Sequence, residues 1–400
     1  MPSPGPTRAR LAILALILTA QTVANVGPLG LPALAGLIRD DLGLTLTQAG
    51  SFLSVYYIGP VLMSLPAGTM ADRWGIAPTL VLGQAVIAAG LLAASAAGSY
   101  ATLIALVALA GFGYGMLNPT STKAVMVWFP ATQRATVVGL KQVGLPFGGA
   151  LGAALLPPLA LALGWRWAVV VAAALILVAA AVSAAIYRDP PDLPPRAPSA
   201  RSALRGVLAA RDLWLVAAAT MLFAAVQTVW LAFLVLYLEE RVGVGLLAAG
   251  RYLALAQVAG MAGRIVFGLL SDRAFGGRRR LPLALAGAGS ALASLALAAT
   301  GPGTPAPALA ALALLFGFAG IGWNGVQHTL MAELAGPRAA GTAVGLGLAV
   351  SSLGVTLGPP VFGWCVERAG GYGGPWVGLA LLMGLALALL VPVRERPRLD

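Results

Sequence analysis

The chain of 400 residues is built from twelve long apolar stretches, each ending at charged residues or at a run rich in proline and glycine. The stretches lie approximately at 11–37, 48–70, 78–97, 102–128, 135–160, 167–187, 213–238, 249–271, 282–300, 306–331, 340–365 and 375–393. Crossing the hydrocarbon layer of a membrane takes roughly 20 apolar residues. A segment in lipid must satisfy its own backbone hydrogen bonds, so each stretch is predicted to be a helix. We therefore expect an all-α polytopic membrane protein with twelve transmembrane helices.

Composition argues against a soluble protein. Hydrophobic residues make up 59% of the chain and charged residues 10%, whereas a soluble domain carries about 25% charged residues. The net charge of +12 would suit nucleic acid. The basic residues, however, separate the apolar stretches instead of forming a patch, so we expect no nucleic-acid partner. A single cysteine excludes an internal disulfide, and the first stretch is too long for the core of a signal peptide.

Arginines are distributed unequally between the two ends of the predicted helices. With the N-terminus placed inside, seventeen arginines fall on the inner side and five on the outer side. The outer five are Arg39, Arg166, Arg241, Arg251 and Arg368. Because basic residues accumulate on the cytoplasmic side, both termini are predicted to be cytoplasmic, in a bacterial-type inner membrane.

One long connection divides the chain near its middle. Residues 188–211 begin with a proline-rich segment, and 200–213 are predicted to form a short surface helix. We expect this linker to join an N-terminal bundle of six helices, 1–187, to a C-terminal bundle of six, 212–400.

The two halves share motifs in the same order. Gly68 to Arg73, after the second stretch, recurs 200 residues later as Gly268 to Arg273. In the fourth stretch Gly111 precedes Asn118, and this pair recurs 206 residues later as Gly317 and Asn324. An internal duplication with small insertions accounts for both separations.

The motif from Gly68 to Gly75, Gly-x-x-x-Asp-Arg-x-Gly, resembles the loop motif of the major facilitator superfamily. The resemblance covers essentially the whole chain and implies two pseudo-symmetric six-helix bundles, with a substrate site near the midplane between them. The first copy departs from the family pattern, since Ile76-Ala77-Pro78 stands where basic residues are usual.

A second resemblance concerns the substrate. The stretch from Asn118 to Lys123, followed by Trp128 and Arg134, is similar to bacterial anion-transporting branches, including organic-anion and nitrate porters. Arg264, eight residues before Asp272, also resembles an arginine of their eighth helix. In those branches an arginine at this spacing binds the anionic substrate.

Arg264 is the main candidate for substrate binding. An arginine at the centre of a membrane helix costs about 2.5–3.5 kcal/mol, and Gln257 shares its predicted helix face. A guanidinium group stays charged and can donate two parallel hydrogen bonds to a carboxylate. The alternative is a structural partner for helix-end carbonyls.

Polar stripes also mark the first, fourth, seventh and tenth stretches, which line the cavity in the family. Their members are Gln21, Asn25, Tyr114, Asn118, Gln227, Trp230, Asn324, Gln327 and His328. Hydrogen bonds between helices would explain single members equally well. His328, the only histidine, is a candidate for proton coupling.

The only two lysines, Lys123 and Lys141, both fall within predicted helices. Lys141 is a candidate for substrate contact. Lys123 is about 140° from Asn118 on a straight helix, so it shares that face only if Pro119 kinks the helix. Alternatively, the Lys123 side chain extends toward the cytoplasmic end of its helix and keeps its ammonium group in water.

The repeated loop motif is predicted to act as a gate, with aspartates that exchange arginine partners as the halves rock. The predicted gating residues are Gly68, Asp72, Arg73, Gly268, Asp272 and Arg273. The alternative is a simple loop turn.

All 13 acidic residues fall at helix ends or in loops. Cation and sugar transporters commonly use a buried carboxylate, so the pattern favours an anionic or neutral substrate. We predict a monomeric secondary transporter that moves a small organic anion, carboxylate-like, by alternating access in the lipid bilayer. A coupled proton or an exchanged anion would drive it, and we expect no cofactor and no metal.

Two alternatives stay open. The apolar lining with Trp230, Tyr237 and Trp323 would suit a multidrug or hydrophobic-compound efflux transporter. A membrane receptor that senses a ligand without moving it is the other. An enzyme is not expected, since the chain shows no nucleophile–base pair, metal cluster or phosphate loop.

Overall fold

A computed structural model describes residues 6–129, 131–189, 201–336 and 340–395. Within these ranges the chain is helical and contains no strand. The helices are α1 (Pro6–Gly30), α2 (Ala35–Leu42), α3 (Leu46–Arg73), α4 (Ile76–Ala94), α5 (Tyr100–Trp128), α6 (Ala131–Leu163), α7 (Trp165–Ile186), α8 (Arg201–Ala209), α9 (Arg211–Tyr237), α10 (Leu246–Leu269), α11 (Arg280–Ala298), α12 (Ala306–Phe316), α13 (Asn324–Ala335), α14 (Ala340–Ala369) and α15 (Gly373–Leu390).

The predicted membrane-spanning helices are present. A short 3₁₀ turn, Leu31–Leu34, joins α1 to α2, and together they form one apolar span from Ala9 to Leu42. The described residues contain 11 helices long and apolar enough to cross a membrane. α3, with 28 residues, is also long enough. The expectation of an all-α polytopic membrane fold is therefore confirmed, and the short helix predicted in the linker is α8.

Apolar side chains on the helix surfaces identify the surrounding solvent. Leu381 on α15 is 71% exposed, Val178 on α7 61% and Leu357 on α14 57%. Soluble monomers rarely expose contiguous apolar surface on this scale. These faces are suited to contact with lipid acyl chains.

The chain forms two compact units. The first unit contains Met1–Leu44 and Val55–Ala197, and the second contains Thr45–Ser54 and Pro198–Asp400. In the first unit α6 packs along α1, and α4 packs along α5 and α7. In the second, α14 packs along α9, and α11 along α15. The predicted division into 1–187, 188–211 and 212–400 stays a prediction.

Glycines set the closest helix crossings, and the two units share the pattern. A Cβ at Gly111 of α5 would collide with the carbonyl oxygen of Tyr56 in α3. A Cβ at Gly317, just after α12, would collide with the carbonyl oxygen of Ala256 in α10. Only glycine allows backbones to approach so closely. Since Gly111 and Gly317 are the pair matched by the sequence repeat, the duplication extends to helix packing.

A second crossing is repeated in the same way. Gly148 of α6 lies against the carbonyl oxygen of Thr22 in α1, and Gly354 of α14 lies against that of Met221 in α9. In both cases an added Cβ would collide with the backbone. These crossings set the register of α6 against α1 and of α14 against α9.

Candidate functional site

A buried lysine organises the first unit. Lys141 of α6 is fully buried. Its Nζ donates to two oxygens of Asn118 in α5, the carbonyl oxygen at 3.1 Å and Oδ1 at 2.7 Å. It also donates to Ser121 Oγ at 3.0 Å and to Thr122 Oγ1 at 2.7 Å. We call these four residues the lysine cluster. It brings together Lys141 and Asn118, both predicted site residues.

The lysine cluster places a basic group among neutral hydrogen-bond acceptors. An ammonium group has three protons to donate, and all its acceptors here are neutral oxygens of one helix. In the described part of the chain no carboxylate forms an ion pair with Lys141. A cation in a membrane helix is costly unless its hydrogen bonds are satisfied. The cluster supplies those bonds, so the buried lysine is satisfied by acceptors of a single helix.

Polar residues of α1 lie beside a group of tyrosines. Gln21 donates to Tyr114 Oη at 3.4 Å, and Asn25 donates to the carbonyl oxygen of Gln21 at 2.6 Å. The ring of Tyr114 stacks on that of Tyr56, with centroids 5.3 Å apart. Gln21 Oε1 and Asn25 Oδ1 are buried without a hydrogen-bond partner among the described residues. Unsatisfied buried acceptors of this kind require an explanation, such as a bound water or ligand.

Lys123 lies apart from the lysine cluster. Its Nζ donates to the carbonyl oxygen of Ala71 at 2.7 Å, near the end of α3. The last carbonyls of a helix lack partners within the helix and attract cations. The structure thus places Lys123 as a link between α5 and the C-terminal end of α3.

The second unit contains the predicted arginine within a polar cluster. Arg264 of α10 is half-buried, and its Nε donates to the carbonyl oxygen of Ile321 at 3.3 Å. Asn324 Nδ2 donates to the same carbonyl oxygen at 3.1 Å and to Gln227 Oε1 at 3.3 Å. The guanidinium of Arg264 lies close enough to the imidazole of His328 to act on it electrostatically. We call Gln227, Arg264, Asn324 and His328 the arginine cluster.

The carbonyl oxygen of Ile321, which accepts from both Arg264 and Asn324, belongs to a π-helical turn. Between α12 and α13 the residues Gly317–Ile321 form a π-helical turn, which shifts the hydrogen-bond ladder. α10 packs directly on this turn. A Cβ at Gly263 would collide with the carbonyl oxygen of Phe318. The glycine next to Arg264 therefore lets the arginine reach the turn.

The depth of Arg264 matters for its chemistry. Its candidate membrane span runs from Leu246 to Ala274 and carries charged residues at its end, Asp272 and Arg273. Arg264 lies eight residues, or about 12 Å, before Asp272. Placing a guanidinium there costs about 2.5–3.5 kcal/mol on insertion scales. The cluster offers neutral oxygens and amides around a permanent cation. That combination can hold a carboxylate or sulfonate by paired hydrogen bonds.

The remaining predicted residues of the second unit are buried in helix packing. Gln257 and Gln327 are each 2% exposed. Gln327 Nε2 has no hydrogen-bond partner within the described ranges. Trp230 is fully buried, donates to Ser294 Oγ at 3.0 Å and stacks on Phe316 with centroids 4.0 Å apart. Trp230 thus has a defined packing role.

The predicted gating residues are only partly visible. The surroundings of Gly68 and the side chain of Asp72 lie outside the part of the structure that is described. Arg73 and Arg273 are exposed at their helix ends, and a Cβ at Gly268 would meet no atom within 4 Å.

Arg279 lies shortly after the loop motif of the second unit and binds that motif's Asp272. The sequence did not predict this role for Arg279. Its guanidinium pairs with Asp272 and with Glu333, the latter at 3.0 Å, and donates to Ser271 Oγ at 2.8 Å. Burial lowers the pKa of Arg279, but its hydrogen bonds to Glu333 and Asp272 outweigh that effect and raise the pKa above its ordinary value. The run Arg278–Arg280 was visible in the sequence, but not which of its members is buried.

Comparison with known proteins identifies a family. The model described as Major Facilitator Superfamily matches residues 13–354. A probable sulfoacetate transporter of Cupriavidus necator is 28% identical over 407 residues, covering 96% of this chain and 94% of the relative. The hexuronate transporter of Bacillus subtilis is 32% identical over 157 residues, covering 39% of this chain and 37% of the relative.

Solved structures share the fold. A nucleoside transporter aligns with a TM-score of 0.81 at 15% identity, covering 97% of this chain and 100% of that structure. A bacterial homologue of the human lysosomal transporter Spinster aligns with a TM-score of 0.79 at 18% identity, covering 99% and 100%. At these identities the likeness concerns the fold alone.

Proposed function

The chain belongs to the Major Facilitator Superfamily, and from that premise we propose that it is a secondary active transporter that moves a small organic anion across the inner membrane by alternating access. The observation that carries the proposal is the arginine cluster. It holds a permanent cation about 12 Å before the charged end of its span, beside the side chains of Gln227, Asn324 and His328. A charge kept at that depth against its insertion cost marks a functional site.

The chemistry of the cluster favours an oxyanion. A guanidinium donates two parallel hydrogen bonds to a carboxylate or sulfonate, and a low dielectric strengthens them. The lysine cluster adds a second buried basic group, held by neutral oxygens. Relatives named for sulfoacetate, hexuronate and galactonate carry substrates with a carboxylate or sulfonate group.

Orientation and driving force complete the proposal. Seventeen arginines lie on the side assigned to the cytoplasm and five on the other, so both termini are placed in the cytoplasm. Fusion of alkaline phosphatase to the C-terminus tests this, because the enzyme is active only outside the cytoplasm. Transport is driven by a proton or by an exchanged anion. Uptake that responds to an imposed pH gradient, rather than to anion loading of the vesicle, distinguishes the two.

The decisive experiment measures flux in proteoliposomes. Purified protein is assayed with labelled sulfoacetate, galactonate and glucuronate, and in parallel with a cationic dye. Arg264→Lys keeps the positive charge but loses the planar guanidinium group, which can donate two parallel hydrogen bonds to one oxyanion. Losing one charge-assisted hydrogen bond costs about 1.5–3 kcal/mol, so we expect uptake to fall roughly 10- to 100-fold. Arg251→Gln, an exposed arginine of the same helix, is the matched control.

Two outcomes would contradict the proposal. Near-normal anion uptake by Arg264→Ala would remove the arginine cluster from substrate binding. Dye efflux by the wild-type protein without flux of any anion would instead support the multidrug alternative.

A further inference from the structure

A basic cavity opens in the second unit where α9 and α11 begin and α15 ends. Its volume is about 640 Å³. Three arginines line it, Arg211, Arg280 and Arg394, together with one carboxylate, Asp212, and the backbone of 391–393. The cavity contains no residue of either polar cluster, and the proposed transport function does not use it.

The charge of this cavity is strongly unbalanced. Asp212 accepts the backbone N–H of Arg394 at 3.4 Å. Arg280 donates to the carbonyl oxygens of Val393 at 2.5 Å and Val391 at 2.8 Å, and its Nε is buried without a partner in the described part of the chain. None of the three guanidinium groups forms an ion pair with a described carboxylate. A second carboxylate, Glu395, lies beside the cavity and accepts the backbone N–H groups of Arg279 and Arg280. Three arginines against these two carboxylates leave an excess of positive charge that suits a doubly hydrogen-bonded anion such as a phosphate ester.

Apolar surface adjoins the arginines. Val391, which lines the cavity, is 69% exposed, and Leu281, next to Arg280, is 41% exposed. Trp214 lies one helical turn after Arg211 and is 43% exposed, and its indole donates to the carbonyl oxygen of Leu208 at 2.9 Å. Tryptophan is enriched at the level of lipid headgroups. A ligand with a phosphate and an apolar tail would contact both kinds of surface, whereas a soluble phosphate ester would contact only one.

We propose that this cavity binds the phosphate headgroup of an anionic phospholipid from the surrounding membrane. Basic pockets between helices at the cytoplasmic side are suited to such headgroups. The arginines of α9, α11 and the segment after α15 hold the phosphodiester, while Val391, Leu281 and Trp214 contact the upper acyl chains. A bound lipid would thereby link the beginning of α9 to the segment that follows α15.

The test is a lipid titration of the detergent-purified full chain, followed by native mass spectrometry. The probes are phosphatidylglycerol, phosphatidylcholine and water-soluble glycerol phosphate. The variants are Arg211→Gln, Arg394→Gln and the double variant, because both side chains are exposed and their loss disturbs no packing. Arg251→Gln, an exposed arginine outside the cavity, is the control.

We expect the wild-type protein to retain one phosphatidylglycerol in preference to phosphatidylcholine. A basic residue near an anionic lipid contributes about a fivefold affinity, so Kd should rise about fivefold in each single variant and about 25-fold in the double variant. An unchanged Kd in the double variant would overturn the proposal. So would equal binding of phosphatidylcholine, or displacement of the lipid by glycerol phosphate at the same concentration.

Discussion

Asp189 and Glu395 occupy equivalent positions in the two units, each lying after the last long helix of its unit and capping the start of another. Asp189 accepts the backbone N–H groups of Ile76 at 3.0 Å and Ala77 at 3.3 Å, at the beginning of α4. Glu395 accepts those of Arg279 at 2.6 Å and Arg280 at 2.7 Å, at the beginning of α11. The free N–H groups and the dipole of a helix N-terminus both favour a carboxylate there.

This cap predicts the effect of Asp189→Asn. The amide keeps an acceptor but loses the charge, so we expect a destabilisation of about 1 kcal/mol and a lower melting temperature of the purified protein. Asp40→Asn, an exposed aspartate of α2, should leave the melting temperature unchanged. Equal melting temperatures for Asp189→Asn and the wild-type protein would show that the cap contributes nothing.

The transmembrane helices were predictable because their signal is local. Hydropathy and the charged residues at the ends of the apolar stretches placed the fifth stretch at 135–160, and α6 runs from Ala131 to Leu163. The repeat was also visible, since Gly111 and Gly317 recur in sequence and prove to be equivalent crossing points. A membrane makes such predictions easier, because the backbone of each span has to satisfy its hydrogen bonds within a largely helical segment.

The side-chain partners could not be predicted, because they depend on how helices cross. Lys141 was a candidate for substrate contact, and its four acceptors on α5 became evident only with the register of α5 against α6. The π-helical turn at Gly317–Ile321 leaves no clear mark in the sequence, yet it supplies the carbonyl that Arg264 binds. A substrate role for either side chain stays a prediction.

The close crossing at Gly263 predicts a position-specific effect of alanine. Gly263→Ala places a methyl group against the carbonyl oxygen of Phe318, so α10 must move away from the π-helical turn. Overpacking of this kind costs about 1–3 kcal/mol, and it lengthens the bond from Arg264 to Ile321. Gly268→Ala on the same helix meets no atom within 4 Å and should not lower the melting temperature. Equal melting temperatures for the two variants would contradict the assigned crossing.

The lysine cluster predicts a structural cost for Lys141→Met. Methionine has a similar volume but donates no hydrogen bond, so the polar oxygens of Asn118, Ser121 and Thr122 lose their shared donor. Leaving buried acceptors unsatisfied costs about 1–3 kcal/mol. We expect a lower melting temperature, whereas Leu140→Met, at an exposed neighbouring position, should have little effect. A more stable Lys141→Met protein would show instead that desolvating the lysine costs more free energy than its hydrogen bonds contribute.

Arg279 predicts an order of effects among three variants. The Arg279 side chain is 6% exposed, that of Glu333 35% and that of Asp272 59%. Removing the arginine leaves two carboxylates without their partner, so Arg279→Gln should lower stability most, by about 1–3 kcal/mol. Glu333→Gln should follow, and Asp272→Asn should cost least because water already screens that carboxylate.

Melting temperatures of the three variants, with Arg273→Gln as the exposed control from the same motif, measure this order directly. The reverse order, with Asp272→Asn the most damaging, would mean that the loop motif is held by the aspartate rather than by the buried arginine. If the motif also acts as a gate, the same variants should change the rate of anion flux in proteoliposomes. The size of that change in rate is not expected to follow the melting temperatures, because a gating contact stabilises the inward-facing and outward-facing states by different free energies.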